Sequence, residues 1–135
     1  MGEIKIKIEL ENFVDRYLYL EKKLHENEIR KYAMEAIVDT GAVMLVLPQD
    51  VVEELGLKIL RTVVVTYADE RLVAGAVTLK IGKRFMNTDC IVGPPASEAR
   101  IGQIILEELD LIPDCLKQTL TPRPESPIYP SLKLK

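Results

Sequence analysis

The sequence predicts a mostly β protein with one or two short helices. Three observations carry this. The N-terminus alternates strictly, Ile4-Lys5-Ile6-Lys7-Ile8-Glu9-Leu10, which marks a strand with one wet face. Apolar, β-branched runs recur between turns that contain glycine or proline. Helical spacing is clear only in short stretches near residues 51–55 and 105–109. At 135 residues the chain is one domain's worth, and 47% apolar residues supply a core without staples.

After the first strand, residues 12–30 admit two readings. Phe13, Val14, Tyr17, Leu18 and Leu24 have helical spacing, while Tyr17-Leu18-Tyr19-Leu20 could also be extended; the charged second half is an exposed excursion. Residues 32–38 run into Ala36-Ile37-Val38, apolar enough for a buried strand. A turn, Asp39-Thr40-Gly41-Ala42, separates it from a second apolar strand, Val43-Met44-Leu45-Val46-Leu47. Pro48 suits the first turn of a helix, where its missing N–H has no partner anyway. Val51, Val52 and Leu55 share one face, and Gly56 supplies a left-handed stop.

Residues 60–66 and 72–81 form a hairpin around Ala68-Asp69-Glu70, and Gly82-Lys83 turns the chain into a strand ending at Ile91-Val92-Gly93-Pro94-Pro95. Val51-Val52-Glu53-Glu54-Leu55-Gly56-Leu57 is echoed by Ile105-Leu106-Glu107-Glu108-Leu109-Asp110-Leu111. Either two amphipathic helices match by chance, or the fold is built from two similar halves, each a strand, a turn and a helix. Four of the eight prolines fall in residues 122–130, so that stretch is extended. The expected organisation is a domain over residues 1–121 and a proline-rich extended tail over 122–135. The tail ends in the alternating Leu132-Lys133-Leu134-Lys135, which could join a sheet completed by a second subunit.

Several function classes are disfavoured. A net charge of -3 gives no electrostatic case for nucleic acid. No apolar run reaches bilayer length and no apolar stretch marks a signal peptide, so the expectation is a cytoplasmic protein without membrane contact. With one histidine, His25, in a polar segment, neither a histidine-rich zinc site nor histidine-dependent nucleophilic catalysis is favoured. No metal or cofactor is expected. Cys90 and Cys115 lack metal-site spacing and read as two partly buried free thiols.

Chemistry concentrates at Asp39-Thr40-Gly41-Ala42. A triplet this short is weak on its own, and aspartate often caps a turn through its own backbone. The context is more specific: an aspartate after a buried strand, a glycine that lets a ligand approach closely, and a second apolar strand directly afterwards. An ordinary surface turn would be more polar on both sides.

With these flanks the chain resembles the retropepsin-like, or retroviral-type, aspartic proteases, and in particular their small prokaryotic members. The resemblance runs from about residue 36 to 120 and more loosely to the termini. Val38-Asp39-Thr40-Gly41-Ala42 matches the catalytic loop. Ile91-Val92-Gly93-Pro94 matches the later strand, Arg100-Ile101-Gly102 the second apolar-apolar-glycine turn, and residues 104–109 the helix after it. The resemblance implies a closed or folded β-barrel-like acid protease fold and a homodimer in which two copies of Asp39 share one proton. One would take a proton from a bridging water that attacks the peptide carbonyl, and the other would hydrogen-bond the developing oxyanion. It also implies that Thr40 hydrogen-bonds across the interface, that the Gly41 carbonyl meets the substrate backbone, and that Ala42, Ile101 and Gly102 support the loop. Tyr67, Ala68, Asp69, Glu70 and Arg71 would form the tip of a flap over an extended peptide.

Two departures stand out. Viral members pair an aspartate after the catalytic loop with an arginine in the final turn; here Val43-Met44-Leu45 and Gln103 occupy those places, and Arg100 reads as a solvated surface residue. The flap tip lacks glycine and should be stiffer. With one aspartate loop per chain, catalysis requires a symmetric partner. The expected function is a homodimeric aspartic endopeptidase acting on peptide or protein; the alternative is a non-catalytic dimeric peptide-binding or assembly module on the same fold.

Overall fold

A computed structural model describes residues 3–66, 69–124 and 126–130. Strand β1 (Lys5–Asn12) alternates as its sequence does, with Ile8 and Leu10 buried and Lys7 and Glu9 exposed. Asn12 then caps helix α1 (Phe13–Leu20), its side-chain oxygen accepting from the Asp15 N–H at 3.0 Å. The helical reading of this segment therefore holds, followed by a single 3-10 turn, Glu26–Glu28. Strands β2 (Lys31–Val38) and β3 (Leu45–Pro48) flank the Asp39 turn. β3 is shorter than its apolar run because Val43 and Met44 belong to the turn.

Pro48 ends β3 and is the N-cap of α2 (Gln49–Glu54), not a first-turn residue. Gly56 takes the left-handed conformation expected of it, φ 65°. Next come β4 (Lys58–Thr66), β5 (Asp69–Ile81), β6 (Arg84–Gly93), β7 (Ala99–Ile101), α3 (Gln103–Leu109), β8 (Leu111–Asp114) and β9 (Thr119–Pro122). The described residues thus hold three α-helices, one more than the upper expectation. They also include a β8–β9 hairpin that the proline content of the C-terminal third had obscured.

Strand order β1-β2-β7-β3-β6-β5, with β5 pairing back onto β1, closes a six-stranded barrel. β4 hangs outside it on the first half of β5, while the second half of β5 meets β1. The ring maps onto itself when β1, β2, β3 and α2 exchange with β5, β6, β7 and α3, since β2 runs parallel to β7 and β3 parallel to β6. The sequence echo thereby acquires a structural meaning. Val51, Val52, Leu55 and Leu57 are buried, as are Ile105, Leu106, Leu109 and Leu111, and both helices end on a left-handed residue, Gly56 or Asp110. Each also yields its last carbonyl to a buried side chain from a strand junction: Asn12 Nδ2 donates to Leu55 O at 2.7 Å and Arg84 Nη1 to Leu109 O at 2.8 Å.

The interior is filled by Ile8, Leu10, Leu45, Leu47, Leu79, Ile101, Ile105 and Leu109, each fully buried and each worth roughly 1.5–3 kcal/mol against exposure. Cys90 lies in this core, where burial pushes its thiol up to about 12, and Cys115 is exposed. The two thiols are free, but neither is partly buried as expected. The tail turns back onto the domain: Ser126 is buried against Asp110 and Arg84, and Arg123 also meets Asp110. Residues 131–135, with their alternating end, lie outside the described residues. No helix among the described residues is long and apolar enough to cross a membrane.

An ion pair between buried Asp15 and half-exposed Arg30 ties the α1 excursion to the barrel. Asp15 accepts from the Arg30 N–H at 3.0 Å, Nε at 2.9 Å and Nη2 at 3.0 Å, and Arg30 also occupies the space a side chain at Gly56 would need. The hydrogen bonds from Arg30 hold the Asp15 carboxyl below its ordinary value, against the opposing effect of burial. A carboxyl depressed on folding stabilises the protein above its unfolded value of about 4, and that stabilisation is lost as pH falls through the folded value. Asp15→Asn should therefore cost about 1 kcal/mol at pH 7, since solvent screens the exposed Arg30, and its stability should fall less between pH 7 and pH 3 than that of the native protein. Urea melts at both pH values test this; equal pH sensitivity of the two proteins would refute it.

Candidate active site

β2 delivers Asp39 to the end of the barrel beside β7. The Asp39 N–H donates to Ile101 O at 2.9 Å, continuing the parallel ladder from Val38↔Ile101. The turn closes on itself when the Ala42 N–H donates to Asp39 O at 3.0 Å. Its side chain joins in, Oδ1 accepting from the Gly41 N–H at 3.0 Å. Asp39 thus performs the ordinary turn-capping role, and does so with one oxygen only.

The second oxygen has a different partner. Arg100 Nη1 donates to Asp39 Oδ2 at 3.1 Å, with the two side chains 43% and 32% exposed. Arg100 was expected to be a solvated surface residue. The parallel β2–β7 register instead sets Ile37 beside Arg100 and Val38 beside Ile101, and the outward-facing position between buried Ala99 and Ile101 projects its guanidinium at the carboxylate. Nothing local in Ala99-Arg100-Ile101 could reveal this, because the contact spans 61 residues.

The turn is also strapped to α3. The Gln103 N–H donates to Ala42 O at 2.8 Å and the Ile104 N–H to Val43 O at 3.0 Å, so the open amides at the start of the helix are satisfied by the turn. Gly102 makes that approach possible: a Cβ there would lie 2.5 Å from Met44 O and 2.6 Å from Val43 C. Asp39, Gly41, Ala42, Ile101 and Gly102 accordingly form one interlocked unit. Thr40 and Gly41 sit at the surface, and Val43 and Ile104 are exposed apolar neighbours.

The β4–β5 hairpin is present but tighter than expected. Thr66 pairs with Asp69, so Asp69, Glu70 and Arg71 belong to β5 rather than to a five-residue tip. Tyr67 and Ala68 lie outside the described residues. Arg71 is paired with Asp69 at 3.3 Å. Among the described residues no cluster of three or more His, Cys, Asp or Glu side chains could hold a metal ion. An open groove of about 930 Å3 lies elsewhere, against β1, α1 and the start of β2 and including Phe13, Tyr32 and Phe85. Tyr32 is seven extended residues, roughly 23 Å, from Asp39.

Comparison with known proteins places this geometry in context. A family described as aspartyl protease matches residues 26–109. The retroviral protease-like domain of Ddi1 from Leishmania major superposes with a TM-score of 0.59 at 14% identity, covering 92% of this chain and 90% of that one. A retropepsin-like aspartic protease from Rickettsia conorii gives a TM-score of 0.49 at 23% identity, covering 84% and 85%. No curated protein matches the chain. The fold is retropepsin-like.

The interlock makes a quantitative demand on Gly102. Gly102→Ala forces the turn or α3 to move and should cost about 3 kcal/mol. Gly82→Ala, at φ 61° but with nothing within 4 Å of the new Cβ, should cost only about 1 kcal/mol. Thermal melts rank the two, and an equal loss would refute the close-approach account.

Proposed function

We propose that this chain, which belongs to the aspartyl protease family, is a homodimeric endopeptidase whose active site pairs two copies of Asp39. The observation that carries this reading is the division of labour in the carboxylate. Oδ1 is spent on the turn, while Oδ2 takes the Arg100 guanidinium and the side chain stays 32% exposed. Closing the turn uses only one of the two oxygens, and the other stays accessible to solvent beside Arg100.

In such a dimer the two carboxylates share a proton. Two full negative charges about 5 Å apart would repel by about 3 kcal/mol at an effective dielectric near 20. The ionised member takes a proton from a water held between the pair as that water attacks the substrate carbonyl carbon. The protonated member gives its proton to the carbonyl oxygen. The tetrahedral diol then collapses: the protonated carboxyl gives its proton to the amide nitrogen, and the ionised one takes a proton from a diol hydroxyl. The C–N bond breaks to leave amine, carboxylic acid and a dyad with one shared proton. The β4–β5 hairpin would act as the flap, pairing with an extended peptide as an added strand.

The alternative reading is a non-catalytic dimeric peptide-binding or assembly module. The Arg100 contact favours it, since a guanidinium already engages the oxygen that would face the water. Cleavage decides between them. With a denatured protein library scanned from about pH 4 to 7, the native protein should produce fragments and Asp39→Asn should lower the rate by at least about a thousandfold. In sedimentation both should run at twice the 15.3 kDa chain mass. Equal activity in the two proteins, or none at any pH, sinks the endopeptidase reading. A strict monomer at tens of micromolar would leave the site without its second carboxylate.

A further inference from the structure

Arg100 has more hydrogen-bonding capacity than Asp39 uses. Its Nη1 meets Asp39 Oδ2, while Nε and Nη2 carry no hydrogen bond among the described residues, and the side chain stays 43% exposed. A guanidinium holds its donors in a rigid fork that fits a carboxylate edge-on. Arg100 is not needed to close the Asp39 turn, which the Gly41 and Ala42 amides already do. Nor does it fill the core, which its strand neighbours Ala99 and Ile101 enter instead.

Resting on the paired-Asp39 reading above, we infer that Arg100 selects substrates with an acidic side chain at the residues flanking the scissile bond. Two-fold symmetry brings one Arg100 to each side of the dyad. A dyad that shares one proton carries a single negative charge, so two guanidiniums leave one surplus positive charge at the centre of the cleft. An aspartate or glutamate side chain next to the bond satisfies that charge through the free edge of Arg100 without displacing Asp39. In the hairpin Arg71 and Asp69 are paired with one another, which leaves exposed Glu70, opposite Val64 on β4, as the hairpin anion that competes with a substrate carboxylate. An apolar side chain at the same place would bury the guanidinium edge unpaired, which is costly.

Binding and cleavage test this separately. The probes are octapeptides whose central bond is replaced by a hydroxyethylene unit, with Glu, Gln or Leu on one side of it. At low salt the native protein should bind the Glu peptide about tenfold more tightly than the Gln peptide. That preference should shrink as salt rises and vanish in Arg100→Leu and Arg100→Gln. Equal or tighter binding of the Gln or Leu peptide, survival of the Glu preference without Arg100, or no binding of any peptide overturns the inference. If either variant fails to fold, the Glu-to-Gln ratio and its salt dependence in the native protein still decide. Cleavage of ordinary peptides that ignores acidic residues sinks this inference but leaves the endopeptidase reading intact. Acid-selective binding with no cleavage at any pH does the reverse.

Discussion

The approach of the Asp39 turn to the start of α3 is the constraint on which the rest of this structure hangs. Gly102 lets backbone meet backbone there, and two helix amides find their acceptors in the turn rather than in water. Because the turn is held from below by Ile101 O and from the side by α3, Asp39 cannot drift without breaking a strand ladder or uncapping a helix. The barrel and the site are consequently one mechanical object. Parallel pairing of β2 with β7 puts the two strand ends in register, and that register brings Arg100 to the carboxylate.

What could be read from sequence follows from range. Alternation in β1, the apolar run before Asp39, the left-handed Gly56 and the Gly82-Lys83 turn are local signals, and each corresponds to an observed feature. The triplet at Asp39 was legible as a turn, and its flanks and later glycine located the rest of the unit. Arg100 was not legible as a partner, since an exposed arginine and one paired across 61 residues look alike in sequence. Hairpin register was similarly hidden: the resemblance implied a tip over residues 67–71, but cross-strand pairing to Val63, Val64 and Thr66 places Asp69, Glu70 and Arg71 in β5. The β8–β9 hairpin was masked by proline, which strands tolerate at their edges.

Arg100 also bears on how two like charges could face each other at all. A carboxylate dyad is opposed by its own repulsion, and proton sharing relieves only part of that. In the proposed dimer the guanidinium on Oδ2 would supply compensation within each subunit. Its exposure limits the strength of that pair, since solvent screens charges that remain wet. The result is a carboxylate held in place and partly compensated while both it and the arginine stay accessible.

The internal two-fold symmetry repeats the junction at Asp39 without repeating its aspartate. The turn after β2 leans on α3, and by the same operation the turn after β6 leans on α2, where the Ala96 N–H donates to Asp50 Oδ1 at 2.7 Å. The fold therefore builds the same strand–turn–helix junction twice. Asp39 directly follows β2, and the residue that directly follows β6 is Pro94, which has neither a titratable group nor an N–H. The second junction keeps the architecture and discards the chemistry. Internal duplication thus provides a closed barrel with an aspartate after β2 and a proline after β6, so the proposed dyad of two Asp39 side chains would need symmetry between chains.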